Sequence, residues 1–225
     1  MEVTEQQPIS EMILFKDHQL VICNKPPGLS SAPKKTEEKT MQDLAEVYSK
    51  QKLFLVHRID QPSSGVLVFA KTKKAADSVG QQFQKKKIQK EYWAWVKGTP
   101  PDTGNLKDFM VRDPASQKAR IVDQEFKGAK EGTLSFSKKM FTDHYSLLEI
   151  KIQTGRFHQI RAQLSKQGWP IQGDVKYGAR RGNKDRSIAL HARSISFLHP
   201  TKGERIQIVA PPPKSSLWAL VETKP

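Results

Sequence analysis

Cysteine occurs once in the 225 residues, at Cys23. A single thiol excludes an intrachain disulfide and any cysteine-rich zinc site, and it suits a reducing, cytoplasmic setting. No apolar stretch approaches the roughly 20 residues that a membrane-spanning helix needs. The first ten residues, Met1 to Ser10, are polar and acidic and lack the apolar stretch of a secretory leader. They read as a loose tail ahead of one domain over 11–225. The six histidines are scattered, and none has a second histidine at i+3 or i+4 on a helix, so no metal set is expected. Glycine-rich phosphate loops are also missing, so no nucleotide cofactor is expected. Acidic residues are in short supply: 23 against 38 lysines and arginines, a formal net charge of +15. Such an excess repels itself unless a polyanion offsets it. Nucleic acid is the leading partner. An anionic membrane surface is second, without the long basic amphipathic helix that would support it. A merely basic soluble protein has the same composition.

What is present reads as many short strands and a few helices. Ile13-Leu14-Phe15 and Leu20-Val21-Ile22 are two paired strands. Pro26-Pro27-Gly28 forces a turn in which Gly28 is free to take a positive φ. Thr40 starts a helix, with Asp43 at the capping-box spacing. Val66 to Ala70 has the composition of a buried strand. A helix follows in which Ala75, Val79 and Phe83 recur every four residues. Lys85-Lys86-Lys87 near its end reads as a solvated terminus suited to the helix dipole, with phosphate contact as an additional role. Tyr92 to Val96 is a strand. From Thr99 to Gly132 the chain is polar and turn-rich, with short strands near Phe109-Met110-Val111 and Arg120-Ile121-Val122. Tyr145 to Thr154 is a strand with Leu148, Ile150 and Ile152 on one face. Phe157 to Lys166 is a helix, and Ser187 to Phe197 and Arg205 to Val209 are further strands. The sum is an α+β fold.

Three segments carry the most specific signal. His57-Arg58-Ile59-Asp60-Gln61-Pro62-Ser63-Ser64-Gly65 leads into a buried strand. Lys90-Glu91-Tyr92-Trp93-Ala94 runs on to Gly98. Gly155-Arg156-Phe157-His158-Gln159-Ile160-Arg161 precedes Gly173-Asp174 and Tyr177-Gly178. Flanking them are Asn24-Lys25-Pro26-Pro27-Gly28, Ala189-Leu190-His191-Ala192 and His199-Pro200. A Ser-His-Asp reading of His57, Asp60 and Ser63 fails on placement, since triad members converge from separate elements. In this order the motifs resemble the RluA-type pseudouridine synthases, whose hallmark is H-R-[LI]-D-x-x-[TS]-S-G. The resemblance runs from about Leu20 to Pro213.

The resemblance implies an isomerase that converts uridine to pseudouridine in structured RNA, ribosomal or transfer, without cofactor or metal. It implies a mixed, mainly antiparallel central sheet with flanking helices and a basic cleft. Asp60 is the implied catalytic carboxylate; attack on the sugar, attack on the ring and proton abstraction all stay open. Arg161 is the implied partner that keeps Asp60 ionised and oriented, against the reading that it is one more surface cation. Tyr92 matches an active-site tyrosine able to stack on uracil and relay a proton. Strand alternation puts Trp93 and Trp95 on the opposite face, which makes them better core candidates. Leu190 matches an apolar wall for the base, although a strand leucine taken alone reads as core. Arg58 resembles an arginine that enters the nucleic-acid stack, with phosphate contact as its alternative. His57 and Arg156, in the same motifs, are expected to bind substrate.

Gln61-Pro62-Ser63 departs from the usual pattern, and Gln163 stands where a histidine is common. Ser63 keeps a hydroxyl for local hydrogen bonding. No S4-type module fits before Ile13, so recognition falls to the catalytic domain and its charge, and a monomer is the default. The rival reading is a non-catalytic RNA-binding or ribosome-assembly factor on the same scaffold; a Ser or Asp hydrolase is a third.

Overall fold

A computed structural model of the chain describes residues 8–33, 39–214 and 216–221. In chain order the elements are α1 (Ile9–Met12), β1 (Ile13–Lys16), β2 (Leu20–Lys25), α2 (Met41–Ser49), β3 (Phe54–Leu55), β4 (Ser64–Ala70) and α3 (Lys73–Gln84). Then come β5 (Gln89–Lys97), β6 (Thr103–Asp113), β7 (Lys118–Val122), β8 (Lys130–Phe141), β9 (Tyr145–Ile152), α4 (Gln159–Lys166), β10 (Leu190–Leu198) and β11 (Arg205–Val209). The α+β class follows directly, and every strand pairing described within the units below is antiparallel. The tail expected over 1–10 lies outside the described residues as far as residue 7; Ile9 already belongs to the short helix α1.

The chain divides into two compact units, one of Met1–Ile88 with Ser194–Pro212, the other of Gln89–Arg193 with Pro213–Pro225. In the first, β2 pairs with β1 and β4, β3 also pairs with β4, and Ser194 to Leu198 of β10 pairs with β11. All seven residues of β4 are buried, as a continuous apolar run covered on both faces should be. One side of this sheet packs Leu20, Ile22, Val66 and Val68 against Ala75 and Val79 of α3. The other packs Val21, Cys23, Leu67 and Phe69 against Met41 and Ala45 of α2. The alternation of β2 and β4 therefore assigns each helix its own face. The capping box forms as the sequence predicts: Thr40 accepts from the Asp43 amide, and Asp43 accepts from the Thr40 amide. His199 is buried, and its Nε2 lies 2.7 Å from Asp17 Oδ2.

Cys23 sits wholly inside this unit, and burial pushes its thiol pKa up to about 12. At pH 8 the thiolate fraction is then on the order of one in 10⁴. Native protein is expected to resist a thiol-specific reagent at that pH, and denatured protein to take up one equivalent. Rapid labelling of the folded protein would contradict the buried placement.

In the second unit the strand order is β5-β9-β8-β6-β7. Its core joins Ala94, Trp95, Val96, Leu134, Phe136, Leu147, Leu148 and Ile150 to Ile160 and Leu164 of α4. Trp95 is fully buried as expected, but Trp93 is only partly so, with the Arg193 guanidinium 4.3 Å over its ring. The period-two reading of β5 fails at Ala94-Trp95-Val96, where three consecutive residues are buried. β6 and β8, 11 and 12 residues long, replace the short strands and turns expected there. A Cβ added at Gly104 would lie 2.6 Å from the Phe136 ring, so glycine lets that ring lie on the neighbouring strand.

Candidate active site

The first group of expected site residues lies in the first unit, on the loop from His57 to Ser63 that enters β4. Polar bonds hold this loop against the turn after β2. Gly28 N–H and Lys25 Nζ both donate to Gln61 O, at 2.8 and 3.2 Å, and Gln61 Nε2 donates to Gly28 O at 2.9 Å. Ser31 Oγ donates to Ile59 O at 2.9 Å and accepts from Ile59 N–H at 3.2 Å. Gly28 takes the positive φ anticipated for it, 86°, which lets its N–H and C=O both face Gln61. Lys25 is completely buried, and its ammonium donates to three carbonyls, those of Pro26, Leu29 and Gln61. A buried charge needs such full satisfaction. The loop carrying Asp60 is thus fixed on both sides, at Ile59 and at Gln61.

Asp60 is half-buried, and its carbonyl accepts from Ser63 N–H at 3.1 Å. Arg58 is exposed. His57 Nε2 accepts from Val68 N–H at 3.2 Å, and its ring packs 5.3 Å from that of Phe83. This bond requires a lone pair on Nε2, so His57 also braces the loop against β4 and α3. Ser63 does not behave as expected: its buried hydroxyl has no hydrogen-bond partner among the described residues. The backbone makes the local bond instead. Gln61, which departs from the motif, takes over the bracing through its amide.

The second group belongs to the other unit. Tyr92 lies on β5, opposite Ile150, half-buried against the core that contains Leu190. It is preceded on the strand by two perturbed groups. Burial pulls the Lys90 ammonium below its ordinary pKa. Burial, with the nearby Glu149 charge, pushes the Glu91 carboxyl up. Leu190 is itself core, 5% exposed.

Arg161 is no surface cation. It is 4% exposed on α4, donating from Nε to Asp174 Oδ2 at 2.6 Å and from a terminal nitrogen to Oδ1 at 2.9 Å. Asp174 is 1% exposed. This two-point pairing fixes the plane of the guanidinium, and the Tyr177 ring lies 4.9 Å from it. Tyr177 Oη is held by His158 Nδ1 at 2.9 Å and accepts from Ala119 N–H at 2.6 Å. The loop before α4 is tied down by Gln159, whose Oε1 accepts from Thr154 Oγ1 and Arg156 N–H. Arg156 Nε donates to Glu131 O at 2.8 Å, so part of its donor set serves β8. Gln163 joins α4 to the sheet, donating to Asp108 Oδ2 and Gly132 O.

Sequence reading gave no role to Lys25, Ser31, Asp174 or Tyr177. For three of them the signal was present, since Lys25, Asp174 and Tyr177 lie in the recurring motifs. Ser31 carried no signal, because a serine in a loop has no distinctive neighbour pattern.

Comparison with known proteins identifies the family. The sequence pattern of the family described as RNA pseudouridylate synthase matches residues 19–166. An uncharacterized RNA pseudouridine synthase of Synechocystis is 34% identical over 215 residues, covering 89% of this chain and 65% of that protein. The ribosomal large subunit pseudouridine synthase C of Buchnera aphidicola (subspecies Baizongia pistaciae) is 34% identical over 213 residues, 90% of this chain and 67% of its own length. The tRNA pseudouridine synthase C of Haemophilus ducreyi is 33% identical over 220 residues, 88% of this chain and 89% of its own. The chain thus spans about two thirds of the first two relatives and nearly all of the third. Among solved structures, human RNA pseudouridylate synthase domain containing 4 superposes with a TM-score of 0.76 at 26% identity, covering 92% of this chain and 90% of that one. With the motifs in order, the site loops rigidly built and the fold shared, this chain belongs to the RNA pseudouridylate synthase family, isomerases that act on RNA.

Proposed function

We propose that this chain isomerises uridine to pseudouridine in structured RNA with Asp60 as its catalytic carboxylate. The observation that carries the reading is the Asp60 loop, fixed at Ile59 and Gln61 by hydrogen bonds to Lys25, Gly28 and Ser31. Catalysis by a positioned group needs that rigidity; a pure binder does not. The isomerisation breaks a carbon–nitrogen bond and remakes it as carbon–carbon with no net redox change. Tyr92 is assigned the stacking and proton-relay role, Arg161 the counter-charge to Asp60, and Leu190 the apolar wall for the base. Arg58 is assigned to the nucleic-acid stack, and His57 and Arg156 to the substrate, beyond the bonds they make within their own units. The basic excess favours a polyanion as partner, in a basic cleft, with the protein acting in the cytoplasm as a monomer.

The substrate is ribosomal RNA of the large subunit or transfer RNA, and relatives with names of both kinds support the pair. Pseudouridine mapping of total RNA from a strain lacking the gene tests the reading. One or more sites are expected to vanish and to return with the wild-type gene. An unchanged map across ribosomal and transfer RNA would refute it.

A further inference from the structure

The second unit carries a basic groove. It has a volume of about 750 Å³ and runs between β7 and the C-terminal half of α4. Its rim holds Lys118, Arg120, Lys166 and Lys176 against one acid, Asp123. Arg120, Lys166 and Lys176 are exposed. The Lys166 ammonium lies 2.5 Å from Asp108 Oδ1, yet half of its side chain remains exposed. The floor is formed by Ala119, Ala162 and Tyr177. Just beyond β7, Phe126 is 44% exposed, with the Arg120 guanidinium 5.0 Å over its ring.

From this arrangement we infer that the groove binds an unpaired segment of the RNA other than the target uridine. The lysines meet its phosphates, and the Arg120–Phe126 pair stacks on a base. The inference rests on RNA being the substrate and adds a second place where RNA is held. Two features favour RNA over the other polyanion of similar reach, an extended acidic peptide. First, β7 is the terminal strand of its unit, but its outer edge is partly occupied: Ala119 N–H donates to Tyr177 Oη, and in the turn just before the strand Lys176 Nζ donates to Gln117 O. A peptide adding as a further strand needs a run of open backbone groups. Second, an exposed aromatic ring with a guanidinium stacked on it offers a face that suits any base. The groove also has a route to the proposed site, because its floor residue Tyr177 packs on Arg161.

The test separates charge from stacking. Affinity of the full chain for fluorescent poly(U) is measured by anisotropy across a salt series. Each single-strand phosphate contact contributes about 0.7 to the log–log salt slope. Lys118→Gln/Lys176→Gln is therefore expected to weaken binding and lower the slope by about 1.4, while Lys118→Arg/Lys176→Arg keeps it. Phe126→Ala is expected to weaken binding roughly tenfold with the slope unchanged, because a stacked base releases no counterion. Circular dichroism establishes that each variant is folded. Wild-type affinity and slope in the folded Gln variant overturn the inference. So does a Phe126→Ala variant that binds as wild type. So, too, does an oligoglutamate peptide that displaces poly(U) at matched charge. Failure here is distinct from failure of the activity: a wild type that forms no pseudouridine but shows these shifts loses only the isomerase reading, and variants that bind normally beside an active wild type remove only the groove.

Discussion

Asp60→Asn is expected to abolish pseudouridine formation, with turnover falling by roughly 10⁴-fold or more, as when a sole nucleophile or base is removed. The substitution keeps the size of the side chain and removes its charge and basicity. The bonds that fix the loop use the backbone of Ile59 and Gln61 together with Lys25, Gly28 and Ser31. None of them uses the Asp60 carboxylate, so the loop is expected to stand in the variant. RNA affinity and the thermal midpoint should therefore stay close to wild type while product disappears. Formation of pseudouridine within a defined RNA under single-turnover conditions checks the chemical step alone. Normal turnover in the folded variant would remove Asp60 from the mechanism.

The second large effect is expected at Asp174. Replacing it by asparagine deprives the buried Arg161 of the carboxylate that takes two of its donors. Removing one partner of a buried ion pair typically costs roughly 3–5 kcal/mol, and Asp174→Asn is expected to fall in that range by denaturant unfolding. The effect should extend beyond stability. Asp174 sets the plane of the guanidinium assigned to Asp60, so the folded fraction of the variant is expected to lose turnover while RNA affinity holds. A variant with unchanged stability would show that the two-point pairing is not what holds Arg161. A destabilised variant with wild-type turnover per folded molecule would separate the pair from catalysis.

Much of the fold was legible because local chemistry and tertiary packing agree. The Thr40 cap, the four-residue spacing of Ala75, Val79 and Phe83, and the apolar run of β4 each use a short-range rule that burial then reinforces. The hairpin of β1 and β2 and the turn at Gly28 follow in the same way. β8 was not legible. Its inward residues, Leu134 and Phe136, are separated from Met140 by a register irregularity between Lys138 and Met140. The glycines at 104 and 132 belong to a stretch that reads as turn-rich, and here they make room for Phe136 and Met110 on neighbouring strands. A glycine's local signal is the same in both cases, and only the neighbour decides.

The site divides along the same line. From sequence alone came the candidates for its chemical groups, Asp60, Tyr92 and Arg161, through motifs that resemble those of a family, together with a positive charge that calls for a polyanion. Residue type and order suffice for a resemblance, because motifs are read along the chain whatever its fold. The tertiary structure decided how the groups are held. It recruited Lys25 and Ser31 to the Asp60 loop, paired Arg161 with Asp174, set His57 against Val68 and left the Ser63 hydroxyl without a partner among the described residues. These are hydrogen bonds between residues 11 to 36 positions apart. Their strength depends on distance, angle and burial, which no spacing in the chain encodes.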